Sequence, residues 1–385
     1  MAKNPMTQDS SESSRLMLPF KTAFAWRPSV YPPSDIHMWG PAENLSLNHT
    51  LARPPKCLII LIPGNPGLVS FYDMFLGQLF NSLVSKKISN QILCVGHVGH
   101  SFNNSNFDFR FLQNFGLNSN RPGFAKLQEQ IEYHQDFVGH LTNLVDFKQT
   151  KLILIGHSVG AYIAAKVLEK HPGSVFHMFG LFPTLSKIGN SRNGRSMAPL
   201  FSPITLPFLH ILQLFFSLVM PKAMLMLLVK LVTTVINISG NQPPFSYHNL
   251  TKACDLVKNV NTVSAALIMA RSEMKEILEI DPNFIQTHKE KISLYYTKKN
   301  DDAWIDEVEF DQISQLLDSL PNDKSSKVVD EATNMSARFA NPREGFQSGK
   351  RYERSTEGIP HAFCLEHNEI MAQKCAVWIE SLLDV

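Results

Sequence analysis

The residues with the clearest capacity for chemistry are Gly156-His157-Ser158-Val159-Gly160, a Gly-x-Ser-x-Gly string. A serine hydroxyl is a weak nucleophile at neutral pH and attacks a carbonyl only when a base takes its proton. The string supports that chemistry where a strand turns abruptly into a helix, with the serine exposed at the apex on a strained backbone. Glycine on either side removes side chains that would collide with the neighbouring strand and helix. Both elements are present: Leu152-Ile153-Leu154-Ile155 reads as a buried strand and Ala161-Tyr162-Ile163-Ala164-Ala165 as an apolar helix start. Alone, the string could be a Gly/Ser turn; in this setting it assigns Ser158 as a nucleophile.

Such a serine requires a base, an acid and donors for the oxyanion. His361, in Gly358-Ile359-Pro360-His361-Ala362-Phe363 ahead of a closing helical stretch, is the candidate base. A surface-loop histidine is the plainer alternative, and His367 is a nearby competitor. The acid is expected after the apolar run Ile292 to Tyr296, where Asn300-Asp301-Asp302-Ala303-Trp304 offers two carboxylates. Asp302 is chosen, with Asp301 as the close alternative; either could be a solvated loop charge, and Asp306 and Glu307 lie just beyond. A tetrahedral intermediate needs N–H groups aimed at its oxygen. Val159 supplies one. In Pro63-Gly64-Asn65-Pro66-Gly67 the proline at 66 has no N–H to give, so Asn65 is the second donor, with its side-chain amide available to assist. This chemistry calls for no metal and no organic cofactor.

The other histidines have simpler readings. His97 and His100, in Gly96-His97-Val98-Gly99-His100-Ser101, lack a nearby third metal ligand and read as loop support. His134 lies on an apolar helix face and reads as a core histidine. His157 reads as a neighbour packing beneath Ser158.

The elements that must position these residues alternate strand and helix from about Lys56 onward. Cys57 to Ile62, Ile92 to Val95, Leu152 to Ile155, Val175 to Leu181 and Ile292 to Tyr296 are short apolar runs of the kind buried on both faces of a parallel sheet. A helix is expected from Ser70, with Ser70 and Asp73 as an approximate capping box, and another from Leu127 to Phe147. A closing helix is expected over Glu366 to Leu383. Alternation of this sort implies helices on both faces of one sheet. With the Ser, Asp, His order, the expectation is an α/β-hydrolase fold: a mostly parallel central sheet flanked by helices. The expected organisation is a loosely ordered segment over 1–55 and one domain over 56–385. That domain carries a helical cap or membrane-associating insertion over 185–285 and a charged, low-order insert over 321–353.

Bulk composition narrows the partners. The 385 residues carry a formal net charge of +2, with 44% hydrophobic and only 18% charged residues. That charge offers no field to attract nucleic acid. The five cysteines form no CxxC pair, which is the usage of a reducing compartment. Met1 to Arg15 is polar and has no apolar core, so no secretory signal is read there, and the Asn-x-Ser/Thr triplets read as chance matches.

The most apolar part of the chain lies in the expected insertion. Ile204 to Leu212 continues through Phe215, Phe216, Leu218 and Val219, and after Pro221-Lys222 a second run carries Met224 to Val229, Leu231 and Val232. Each half is shorter than, or barely reaches, the ~20 residues that span a bilayer. Two halves joined at Pro221-Lys222 predict a hairpin or a pair of oblique helices. It can be read as a buried cap over the active site or as an element dipping into a lipid surface, and the two are compatible.

Taken together these residues resemble the lipid droplet-associated hydrolases. The likeness runs through Ile62-Pro63-Gly64-Asn65-Pro66-Gly67 with Phe71-Tyr72, the Gly156 to Gly160 string, and Leu181-Phe182-Pro183-Thr184 with Asn193-Gly194-Arg195 and Pro199. Asp302-Ala303-Trp304 and Ile359-Pro360-His361-Ala362-Phe363 continue it to the C-terminal region. The resemblance implies a serine esterase or lipase acting on a lipid ester, such as a sterol ester or acylglycerol. It also implies residence on lipid droplets and the cytosolic face of the endoplasmic reticulum. The alternative is a droplet-surface protein that keeps the scaffold and works by binding lipid or partners.

Overall fold

The strands are made by runs that alternate between two apolar surfaces. In Cys57–Ile62, Leu58, Ile60 and Ile62 enter one core while Cys57, Ile59 and Leu61 enter the other, and all six are buried. A strand buried on both faces in this way needs a helix layer on each side. The computed structural model describes residues 20–24, 31, 34–41, 53–101, 126–202, 205–240, 245–279, 281–318 and 351–383.

Its strands are β1 (Phe20–Phe24), β2 (Ser34–Trp39), β3 (Cys57–Ile62), β4 (Asn90–Val95), β5 (Lys151–His157), β6 (Val175–Leu181), β7 (Ile292–Tyr296) and β8 (Tyr352–Arg354). They form one sheet in the order β1-β2-β4-β3-β5-β6-β7-β8. β2 runs antiparallel to β1 and β4, and the remaining neighbours are parallel. One face is covered by α1 (Asp73–Ser85) together with the C-terminal helix; the other by α2 (Leu127–Leu141) and α3 (Val159–Lys170). This is the α/β-hydrolase fold expected from the alternation.

Between β6 and β7 the alternation gives way to α4 (Arg192–Met197), α5 (Thr205–Leu218), α6 (Lys222–Gly240), α7 (Tyr247–Lys258), α8 (Val260–Glu276) and α9 (Pro282–His288). Several starts are capped by side chains that satisfy otherwise orphaned N–H groups. Ser246 accepts from the Asn249 amide at 3.3 Å, Asn259 from Thr262 at 3.0 Å, and Asp281 from Asn283 at 2.9 Å. Pro207 lies inside the first turn of α5, where a helix tolerates a missing N–H. The chain then forms α10 (Glu307–Asp318), α11 (Phe363–Glu366) and α12 (Asn368–Leu383).

Several boundaries differ from the sequence reading: β4 and β5 begin earlier, at Asn90 and Lys151, the closing helix begins later, at Asn368, and three differences are larger or bear on the N-terminal half. The sheet begins before Lys56: β1 and β2 lie within the stretch assigned to a loose 1–55 segment. They are short strands set among prolines, β1 at the edge and β2 between β1 and β4, so their pattern is weak until β4 supplies a partner. α2 stops at Leu141 instead of Phe147, because Thr142 and Asn143 enter a turn and the Asp146 carboxylate accepts the Lys148 amide at 3.0 Å. α1 starts at Asp73 after a short 3-10 turn over Val69–Tyr72, and Ser70 makes no capping bond at either start. Of the expected 321–353 insert, residues through 350 lie outside those described, and Tyr352 and Glu353 belong to β8.

Candidate active site

β5 delivers Ser158 at its C-terminal end, and α3 begins at the next residue. Ser158 has φ 55° and ψ −125°, a conformation that costs an L-residue about 1–3 kcal/mol. The turn is pinned by the Ser158 amide donating to the Leu181 carbonyl at 3.1 Å and by the Ala161 amide donating to the Ser158 carbonyl at 2.9 Å. Glycine is required on both sides: a Cβ at Gly156 would stand 2.4 Å from the Ala161 Cα, and one at Gly160 2.1 Å from the Ile62 carbonyl oxygen.

His361 lies in the loop between β8 and α11, and Asp302 in the loop between β7 and α10. The Ser158 hydroxyl lies 2.9 Å from His361 Nε2, and His361 Nδ1 lies 2.7 Å from Asp302 Oδ2. The other Asp302 oxygen accepts the Trp304 amide at 2.8 Å. The Asp302 side chain is 5% exposed. Burial works to raise its pKa, but the charge and hydrogen bond of His361 and the Trp304 amide outweigh this and hold it below the ordinary carboxylate value. Asp301 is exposed at the preceding turn. Asp306 accepts the Val308 amide at the start of α10, and Glu307 pairs with Arg354, so neither faces the histidine. His367, the competing base, sits between α11 and α12 and donates its amide to the Phe363 carbonyl at 2.8 Å.

The early loop after β3 packs directly on the serine: a Cβ on Gly64 would lie 2.9 Å from the Ser158 Cβ. Asn65 follows in this loop, and Val159 is the first residue of α3, where an N–H has no intrahelical acceptor. The early loop and the start of α3 thus flank the nucleophile. The Asn65 side chain departs from expectation. Its amide nitrogen donates to the Ala266 carbonyl at 2.9 Å and to Glu273 Oε1 at 3.0 Å, both on α8, so it is committed to the insertion and not free to assist. Glu273 is buried, and that burial pushes its carboxyl up to about 7 against the lowering effect of the Asn65 bond.

The His97 and His100 loop braces the same turn. His100 Nδ1 lies 2.6 Å from the Pro66 carbonyl, and the His97 amide donates to the Gly67 carbonyl at 3.2 Å. Gly67 has φ +75°, and a Cβ there would meet the His97 ring at 2.5 Å. His134 is buried beside His97. Burial lowers His100 to about 4 and His134 to about 3, so both rings are neutral near pH 7. Among the described residues no group of three or more His, Cys, Asp or Glu is arranged to hold a metal.

Sequence reasoning missed Tyr72 and Glu273. Tyr72 follows a Phe and precedes α1, and nothing in its spacing marks it; Glu273 is one acidic residue among several near the end of α8. Only their contacts in the fold identify them.

The profile of the lipid-droplet associated hydrolases matches residues 55–364. The human lipid droplet-associated hydrolase is 28% identical over 262 residues, covering 67% of this chain and 74% of its own. The mouse protein of the same name is 27% identical over 355 residues, covering 89% and 90%. Among solved structures, a candidate lipase from Acinetobacter baumannii superposes with a TM-score of 0.54 at 13% identity, covering 94% of this chain and 92% of its own. The haloalkane dehalogenase DbeA from Bradyrhizobium elkani superposes at 0.50 and 9% identity, covering 91% and 94%. These last two likenesses speak to the fold alone.

Proposed function

The chain belongs to the lipid-droplet associated hydrolase family, and we propose that it is a serine esterase that hydrolyses a lipid ester at a lipid-droplet surface. The observation that carries this reading is the hydrogen-bonded line from Ser158 through His361 to Asp302, at 2.9 and 2.7 Å, mounted on a strained strand-to-helix turn. His361 takes the hydroxyl proton as Ser158 Oγ attacks the ester carbonyl. Asp302, held ionised, fixes the ring and stabilises the imidazolium. The N–H groups of Asn65 and Val159 receive the oxyanion. His361 then hands its proton to the departing alcohol, and a water molecule repeats the sequence on the acyl-enzyme.

A lipid substrate is favoured by the insertion over 185–285. On α5, Phe208, Ile211, Phe215 and Leu218 recur at helical spacing and are 69%, 64%, 50% and 74% exposed. On α6, Met224, Leu227 and Leu231 are exposed in the same way. An apolar stripe of this kind suits a helix lying in a lipid surface. Among the described residues no helix is long and apolar enough to cross a membrane. The Asn65 bonds to α8 support reading the insertion as a cap beside the site. In this reading the protein works on lipid droplets and the cytosolic face of the endoplasmic reticulum, on a sterol ester or acylglycerol.

The test is labelling with a fluorophosphonate probe, beside Ser158→Ala and His361→Ala. Labelling of the wild type that disappears in both variants supports the reading, and a folded wild type that stays unlabelled with lipid present overturns it. The exposed stripe also favours a second reading, a droplet-surface protein acting by binding. In that case Ser158→Ala leaves the cellular phenotype intact, while removal of residues 203–239 abolishes it.

A further inference from the structure

Beneath the serine lies a second line of hydrogen bonds. The Gly64 amide lies 2.9 Å from the Tyr72 hydroxyl, that hydroxyl 2.6 Å from His157 Nδ1, and His157 Nε2 2.9 Å from the carbonyl oxygen of His361. It joins three segments: the loop that carries Asn65, the turn that carries Ser158, and the loop that carries His361. We propose that Tyr72 and His157 are positioning residues of the esterase site, a buried brace that sets the early loop and the base against the nucleophile. This rests on the serine-esterase reading and adds residues that the line from Ser158 to Asp302 does not contain.

Elementary chemistry fixes the polarity. The His361 carbonyl can only accept, so the proton of a neutral His157 sits on Nε2. Nδ1 is then an acceptor and the Tyr72 hydroxyl must donate to it. The Tyr72 oxygen keeps lone pairs, and the Gly64 amide donates to one of them. Every bond therefore points the same way, from Gly64 to His361, and bonds in such a line strengthen one another.

The surroundings exclude substitutes. Tyr72 is 3% exposed and His157 5%. The His157 ring meets Phe363 edge-on at 5.0 Å, Tyr72 at 5.8 Å and Phe182 at 6.2 Å between centroids. In that dry aromatic box a lost partner leaves a buried polar group unsatisfied. Burial, reinforced by nearby His361, lowers His157 to about 3, so the ring is neutral wherever the enzyme works. Neutrality matters because the two imidazoles are only 5.4 Å apart, and a charged His157 would oppose the imidazolium that forms on His361. Burial likewise holds the Tyr72 hydroxyl protonated, pushing its pKa well above the ordinary value.

The brace reaches the base through its backbone, not its ring. His361 follows Gly358, which has φ +68°, and lies in a loop also anchored by the Ser355 amide on the Tyr296 carbonyl at 2.7 Å, the Ser355 hydroxyl accepting the Ile359 amide at 3.1 Å, the Glu357–Lys374 pair at 2.7 Å and α11 behind it. The His157 bond is the contact that ties this loop to the residue next to Ser158. A displacement of about 1 Å between nucleophile and base costs on the order of a hundredfold in rate.

The test uses the full chain, a soluble p-nitrophenyl ester and the variants Tyr72→Phe, His157→Leu and His157→Gln. Expected is a kcat about tenfold lower for Tyr72→Phe and about a hundredfold lower for His157→Leu, with KM within about twofold. His157→Gln keeps an N–H for the His361 carbonyl and should return to within about fivefold of the wild type. Folded Tyr72→Phe and His157→Leu proteins with wild-type kcat overturn the proposal. Should His157→Leu fail to fold, Tyr72→Phe decides, since it keeps the ring and removes only the hydroxyl. Nitrogen NMR of the wild type checks the polarity of the line: a His157 ring protonated on Nδ1 between pH 6 and 8 overturns the brace. If the wild type itself is folded yet neither labelled by fluorophosphonate nor active, the esterase reading fails and takes the brace with it. That outcome is distinct from a labelled wild type whose brace variants are unimpaired.

Discussion

The strand ends around Ser158 and the helices α5 and α6 solve opposite problems with similarly apolar residues. Around the serine, apolar surface is turned inward: Phe182 and Phe363 are fully buried with ring centroids 5.6 Å apart, and Ile62, Val159 and Leu181 are buried as well. Among the polar groups left inside, those of Tyr72, His157, His361 and Asp302 are bonded at the distances given above, while the Thr184 hydroxyl and the His97 ring nitrogens find no hydrogen-bond partner among the described residues. On α5 and α6 the polar contacts run to α7, with the Ser217 hydroxyl donating to the Lys258 carbonyl at 2.6 Å and Lys222 pairing at the surface with Asp255 at 2.7 Å. The large apolar side chains face out. The second region leaves its apolar stripe uncovered among the described residues, and in the proposed reading a lipid surface covers it, so the two should respond independently to substitution.

The largest effect expected is in the first region. Ser158→Ala should lower kcat on any ester about 10⁴-fold or more, because nucleophile and base act as a unit. Asp302→Asn should cost about 10³- to 10⁴-fold, since an amide cannot hold the His361 imidazolium. Neither should alter flotation of the protein with lipid droplets or binding to triacylglycerol emulsions. A variant that lost both activity and flotation would break the separation of the two regions.

The converse experiment replaces Phe208, Phe215, Leu218 and Leu227 with serine. Burying each of these side chains in lipid contributes about 1–2 kcal/mol at their present exposure, so the quadruple variant should lose about a thousandfold or more in emulsion binding. Turnover of a soluble p-nitrophenyl ester should stay within about twofold, because none of the four touches the serine, the histidine or the aspartate. Loss of soluble-ester turnover in a folded variant would show that the stripe supports the site directly.

How far the sequence revealed each region follows from the range of the forces involved. β3, β6 and β7 were legible to the residue, because a strand buried on both faces is a continuous apolar run that needs no partner to be recognised. The turn at Ser158 was legible because its five-residue string stands between a buried apolar run and an apolar helix start, although the clash that requires Gly160 comes from Ile62 on β3. The Pro221-Lys222 break between α5 and α6 was legible for a similarly local reason. β1 and β2 were not, since β2 draws its order from β4, far along the chain, and β1 from β2. Tyr72, His157 and Glu273 gained their places from contacts across 85, 204 and 208 residues, which no local spacing encodes. Between Asp301 and Asp302 the local sequence was balanced; the 2.7 Å approach to His361 distinguishes them.

The two regions meet at Asn65. Its side chain leaves the early loop and bonds to α8, the helix that follows α7 in the insertion. Asn65→Ala keeps the backbone N–H and removes this link, and should lower kcat about tenfold on soluble and emulsified ester alike. An effect confined to emulsified ester would mean that the link carries information from the lipid-facing helices to the site, which would join what the first comparison separates.

Glu273 gives the smallest and most diagnostic signal. Its carboxyl is raised from 4.5 in a free chain to about 7 in the fold. The folded protein therefore holds a proton that the unfolded chain has already released between those values, and stability falls as pH rises through that window. The loss is on the order of 3 kcal/mol if burial acts in full, and is complete above the folded value. Glu273→Gln keeps an acceptor for Asn65 and cannot ionise, so its denaturation midpoint should match the wild type near pH 4.5 and exceed it at pH 8. Asp302 has the opposite sign: its lowered pKa makes a contribution present above 3.8 and lost as pH falls below it, so the two slopes do not overlap. Urea titrations of wild type and Glu273→Gln from pH 4.5 to 8 measure the difference. Parallel curves would mean that the carboxylate finds water or a cation on ionising, and that the join between the insertion and the early loop is open to solvent.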